Sequence, residues 1–271
     1  MNAWCSLYLP CADNTPVIEA ARESLGALGY TLYNPFGVMP GMTYPQTVRL
    51  FVAPVKQGWT RVIGTPDLAQ LSAFSRVATC LCAALDGDHG ARLLVFADGE
   101  AVDAESALTP HLRTGFSLGE LRRVLAGDVP AVVDDDQGQL GGVPIDVLPA
   151  DLQALAGGID AQQAQKLVER FSAGLSKRAG GDPRAAAALI SGERVDWNSP
   201  GGRQIAALMR CLTVPDDWRE PDFVALRDAY QLHMRRHRNP NARLYPGDSE
   251  ALAAVPDALD YTPVFGGRNT A

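Results

Sequence analysis

The densest group of side chains able to do chemistry is the run His233-Met234-Arg235-Arg236-His237-Arg238, followed by Arg243, in a chain whose formal net charge is −7. Forked guanidinium groups hold phosphate or carboxylate through parallel charge-assisted hydrogen bonds. Arg235, Arg236, Arg238 and Arg243 therefore form a candidate anion site, with His233 and His237 beside it. The two histidines lie one helical turn apart, the spacing at which imidazoles share a metal. The residues between them are Met and Arg, not the glutamate of a His-Glu-x-x-His site, and adjacent cations oppose a divalent ion. No metal ligand is assigned there. The competing reading is structural, because cations in the last turn of a helix interact favourably with its dipole.

Other groups carry less. Asp86-Gly87-Asp88-His89 offers carboxylates and an imidazole, but Asp and Gly are also what a tight turn selects. Asp134-Asp135-Asp136 reads as a solvated hairpin tip. Cys80-x-Cys82 lacks the spacer of a zinc knuckle, and five cysteines leave one over in any full pairing, so buried reduced thiols are expected. The chain contains no Gly-x-Ser-x-Gly elbow, no Gly-x-x-x-x-Gly-Lys phosphate loop and no Gly-x-Gly-x-x-Gly turn. Catalytic residues are therefore not assigned, and no cofactor is implied. Trp197 and Trp218, between helical segments, either anchor a partner or plug gaps. The uncharged stretch from Asn34 to Pro45, with Phe36, Met39, Met42 and Tyr44, either folds onto the core or presents an apolar contact surface.

These groups need elements to position them. The 271 residues, 46% of them hydrophobic, suffice for a substantial core. Trp4–Leu9 reads as a strand, and Thr15-Pro16 as the start of a helix whose apolar positions Val17, Ile18, Ala21, Leu25 and Leu28 share a face before Gly29 ends it. Tyr30–Tyr33 begins a return strand. Residues 48–55 and 59–63 form a hairpin around Lys56-Gln57-Gly58. Thr65-Pro66 repeats the helix start, with Leu68, Leu71, Ala78, Leu81 and Leu85 read as one bent helix or two. Arg92–Phe96 is a further strand, turned at Asp98-Gly99. This order predicts an α+β fold, with an antiparallel or mixed sheet carrying helices on one face in a split βαβ pattern.

Ser117 and Glu120 make a capping-box pair before an amphipathic helix. A boundary is placed at Gly141-Gly142, giving an α+β domain over 1–142 and a helical region over 143–271 with an irregular tail from Pro256. Helices are expected from Asp160, Asp182-Pro183, Ser199-Pro200 and Pro221, forming a small helical subdomain.

The acidic balance argues against duplex nucleic acid as a partner, and no apolar run is long enough to span a membrane. Met1–Cys5 lacks the basic start of a secretory signal, so a cytoplasmic setting is expected. The functional expectation is a non-catalytic cytoplasmic protein-binding or assembly module that engages another protein or a second copy. The alternative is an enzyme or sensor that holds a phosphorylated or other anionic ligand on the patch from Arg235 to Arg243.

Overall fold

The computed structural model describes residues 4–37, 44–85, 90–129, 195–245 and 247–269. Residues 1–129 and 196–271 form one compact unit and residues 130–195 a second. The expected boundary at Gly141-Gly142, the acidic tip at 134–136, the turn at 86–89 and the helices from Asp160 and Asp182 lie outside the described residues.

The first unit is built on an antiparallel sheet of eight strands in the order β2-β8-β3-β4-β1-β5-β6-β7. The strands are β1 (Trp4–Pro10), β2 (Thr31–Leu32), β3 (Gln46–Val52), β4 (Trp59–Gly64), β5 (Cys80–Leu85), β6 (Ala91–Ala97), β7 (Glu100–Ala101) and β8 (Thr262–Arg268). Helices α1 (Thr15–Ala27) and α2 (Leu68–Ser75) complete the first half. The central strands β3-β4-β1-β5, with α1 following β1 and α2 following β4, make the split βαβ arrangement. The α+β class read from the sequence is the class of the fold.

Local chemistry accounts for the element ends. Gly29 adopts φ 75 directly after α1, and the Tyr30 amide returns to the Leu25 carbonyl at 2.9 Å, closing the helix. The β3–β4 connection turns through Gln57 and Gly58, both at positive φ, as the twist of a tight hairpin requires. The α2 start differs in detail from the Thr-Pro expectation: Asp67 is the cap, its side chain accepting from the Gln70 amide at 2.9 Å while the Gln70 side chain accepts from the Asp67 amide.

Residues of one parity, Cys5, Leu7 and Leu9 on β1 with Val62, Cys80 and Cys82 on its neighbours, pack against Val17, Ala21 and Leu25 of α1 and Leu71 and Phe74 of α2. The opposite parity is also covered. There Tyr8 stacks on Trp218, Phe51 meets Phe223 and Tyr230, and the Trp59 indole donates to Thr213 Oγ1 at 3.1 Å. The helices supplying that layer are α5 (Pro200–Cys211) and α6 (Phe223–Arg238), joined by α7 (Asp248–Ala254); α3 (Ala104–Leu108) and α4 (Leu118–Leu125) precede them. The apolar stripes of α5 and α6 thus meet the sheet.

Two element assignments need correction. The helix expected to continue through Ala78, Leu81 and Leu85 stops at Ser75, and Cys80–Leu85 is a strand between β1 and β6. With both faces covered, all six of its residues are buried, so the run lacks the alternation that marks a half-exposed strand. The tail expected to be irregular contains β8, inserted between β2 and β3. There Val264 enters the α1 side of the core while Phe265 joins Phe36 and Phe51 on the other side.

Candidate functional site

The candidate residues sit on α6 and the segment after it. Asp222 caps this helix by accepting from the Ala225 amide at 2.7 Å, Leu226 and Ala229 bury its inner face, and Tyr230 packs on Phe36 with ring centroids 4.6 Å apart. The last turn carries Arg235, Arg236, His237 and Arg238, where positive charge complements the helix C-terminus.

A cleft of about 680 Å³ lies between this turn, the bend at Pro35–Gly37 and the start of α7. Arg235 and Arg238 line it together with Gln231 and Asn239, over apolar surface from Phe36 and Leu232. That mixture of an apolar wall with a few polar groups, at that size, is the usual make-up of a small-molecule site.

Arg235 is held in place by three contacts. One terminal nitrogen donates to Asp248 Oδ2 at 2.5 Å and to the Arg243 carbonyl at 3.2 Å, while the guanidinium carbon sits 5.7 Å from the centre of the Tyr245 ring. Its Nε is buried and has no partner among the described residues. The Asp248 carboxyl is held below its ordinary range first by the Tyr245 amide and then by Arg235. Arg238 donates to the Phe36 carbonyl and has no carboxylate partner among the described residues. Asp228, also in the lining, is paired with Arg227 at 2.7 Å. Within the cleft Arg235 is answered by Asp248 and Asp228 by its neighbour, so Arg238 carries the uncompensated charge.

The remaining candidates do not line the cleft. Arg243 lies on Tyr245, 5.9 Å from the ring centre, beside the cleft. Arg236 and His237 are exposed. His233 Nε2 is 3.1 Å from the Val255 carbonyl, which engages one of its two ring nitrogens. Among the described residues no three His, Cys, Asp or Glu side chains converge as a metal site. Asp248, Gln231, Asn239 and the Phe36 carbonyl were not singled out by the sequence; Asp248 next to Gly247 carried only the signal of a helix start.

The aromatic candidates are used internally. Trp218 is buried, and its carbonyl accepts from Tyr8 Oη at 2.8 Å. Trp197 packs edge-on against Trp4 and donates from Nε1 to Glu220 at 3.2 Å. Phe36 is buried, so this part of the Asn34–Pro45 stretch folds down onto the core, while Val38–Thr43 lies outside the described residues. All five cysteines are free thiols, four of them buried. Among the described residues no helix is long and apolar enough to cross a membrane. The chain matches no protein-family model, no curated protein and no solved structure.

Proposed function

We propose that this chain is a binding protein whose occupant is a small anionic molecule, phosphorylated or carboxylic, seated in the cleft beside the last turn of α6. The observation that carries the reading is Arg238, a guanidinium in the lining of a ligand-sized cleft with no carboxylate to neutralise it. Arg235 supports it from beside, its orientation fixed by Asp248 before any ligand arrives, so that little ordering cost is left for binding. Apolar contact with Phe36 and Leu232 would favour a ligand that carries a carbon skeleton beside its charge.

A protein-docking or assembly role is the second reading, and Tyr245 is what favours it. This ring is 58% exposed, has the guanidinium carbons of Arg235 and Arg243 at 5.7 and 5.9 Å from its centre, and adjoins Leu244. Tyrosine and arginine are the residues in which interface hot spots are enriched. A partner meeting this corner would offer acidic side chains. The cytoplasm is the setting proposed for either role, since five unpaired thiols suit a reducing compartment.

Calorimetric titration with pyrophosphate, glycerol 3-phosphate and citrate tests the first reading. Binding of one of them, weakened about tenfold or more by Arg238→Ala and little changed by Arg236→Ala, is the expected result. Absence of saturable binding, or equal affinity in the Arg238→Ala protein, would remove it. Light scattering together with Tyr245→Ala addresses the second: self-association lost on that change supports docking there.

A further inference from the structure

A second cavity, of about 250 Å³, opens on another side of α7, between the end of that helix, the β3–β4 turn and the stretch Asp217–Pro221. Its wall contains Trp218 and Tyr261, each 5% exposed. Four ionisable residues line it: Asp217, Glu220, Asp257 and Lys56. Lys56 Nζ is 2.5 Å from Asp217 Oδ2, so these two neutralise each other. Glu220 Oε1 accepts only the neutral Trp197 indole, at 3.2 Å. The Asp257 side chain has no hydrogen bond or ion pair among the described residues. Arg61 lies behind the wall with its guanidinium donating to the Glu220 and Arg219 carbonyls, and it is not part of the lining.

These four alone would be an ordinary acidic surface. Tyr261 makes it more, because its hydroxyl has no hydrogen-bond partner among the described residues although the side chain is almost wholly buried in the cavity wall. The hydroxyl oxygen itself is not enclosed, so a hydrogen-bond donor that enters the cavity can reach it. It also stays a neutral phenol, since burial pushes its pKa up to about 12.

We propose that this cavity is a binding site for a small organic cation, a primary ammonium or a guanidinium. Asp257 supplies the counter-charge, the Tyr261 oxygen accepts an N–H, and Trp218 and Tyr261 provide the aromatic surface that alkylammonium groups favour. An anionic ligand meets the unneutralised Asp257 carboxylate here. A water molecule takes about 30 Å³ in the liquid, so the space suits a head group with a chain of a few carbons. The site is separate from the anion cleft and does not depend on it.

Titration of the full chain with n-butylammonium, followed by tryptophan fluorescence and amide chemical shifts, tests the proposal, with butyrate and 1-butanol as anionic and neutral controls of the same shape. Saturable millimolar binding of butylammonium, with shifts at Asp257 and Tyr261 and none of either kind with the controls, is expected. Asp257→Asn, at an exposed and unbonded side chain, should weaken it about fivefold, and Tyr261→Phe should weaken it severalfold with the ring retained. Arg238→Ala should leave it unchanged. No saturable butylammonium binding, equal binding of butyrate, or undiminished affinity in the Asp257→Asn protein would overturn the assignment.

Discussion

Tyr8 Oη donates to the carbonyl of Trp218 at 2.8 Å, joining the central strand of the sheet to a residue 210 positions later in the chain. The Tyr8 and Trp218 rings also stack, 6.4 Å between centroids, and the hydroxyl lies 3.8 Å from Met209 Sδ of α5. The second-half layer is thus fixed to the sheet by a buried polar contact as well as by apolar packing.

Tyr8→Phe keeps the ring and leaves the Trp218 carbonyl unpaired. A loss of roughly 1–3 kcal/mol is expected, read as a lower urea midpoint with an unchanged slope. An unshifted midpoint would mean that packing alone docks this layer.

Alkali should act on the same contact. Burial raises the pKa of Tyr8 to about 12, and Tyr261 is likewise raised to about 12. A tyrosine in the unfolded chain ionises near pH 10. The folded state therefore favours the neutral phenol. Its stabilising contribution is complete below about pH 10 and is lost as the pH rises through about 12, on the order of 2–3 kcal/mol for fully buried Tyr8. Urea unfolding at a series of alkaline pH values should show this decline. Phenolate absorbance should show two late tyrosines ionising together with the loss of structure, and their ionisation near pH 10 in the folded protein would refute the assignment.

Part of this architecture could be read from local chemistry, and the remainder shows why some of it could not. Gly29, the Gln57-Gly58 turn, the Ser117–Glu120 capping box and the Ser199-Pro200 helix start each depend on a few neighbouring residues, and each is found where expected. Cys80–Leu85 was misread because covering both faces of the sheet erased its period. β8 was hidden by Pro263, Gly266 and Gly267, residues that ordinarily punctuate strands. At the candidate site the arginine run was visible, but its sorting was not. Arg238 reaches a carbonyl 202 positions away, and Arg235 is neutralised by Asp248 in the next helix. Such pairings have no sequence spacing to betray them.

Gly64 sits at φ 141 at the end of β4, and a Cβ there would lie 2.4 Å from the Arg49 carbonyl oxygen on the adjacent strand. Backbone cannot yield as a flexible side chain can. Gly64→Ala is expected to cost about 2 kcal/mol or more, measured as a fall in Tm. Gly26, in the last turn of α1 with open space around it, is the contrast: Gly26→Ala should raise stability by about 0.5–1 kcal/mol. A neutral Gly64→Ala would show that β3 and β4 can separate there without loss.

Arg61 is fully buried and has no carboxylate partner among the described residues. Its Nε donates to Ser6 Oγ at 2.9 Å, its terminal nitrogens donate to the Glu220 and Arg219 carbonyls at 2.9 and 3.3 Å, and its guanidinium lies 5.7 Å from the Trp4 ring centre. One planar fork thereby ties β1 and β4 to the segment entering α6. An ammonium cannot reach the same three acceptors from one nitrogen, yet it brings the same buried charge. Arg61→Lys should therefore be more damaging than Arg61→Met, which removes the charge along with the hydrogen bonds. The lysine change is expected to cost about 3 kcal/mol or more and the methionine change less, both compared by urea denaturation. A lysine variant as stable as the parent would show that charge at this position, and not the fork, holds the segment to the sheet.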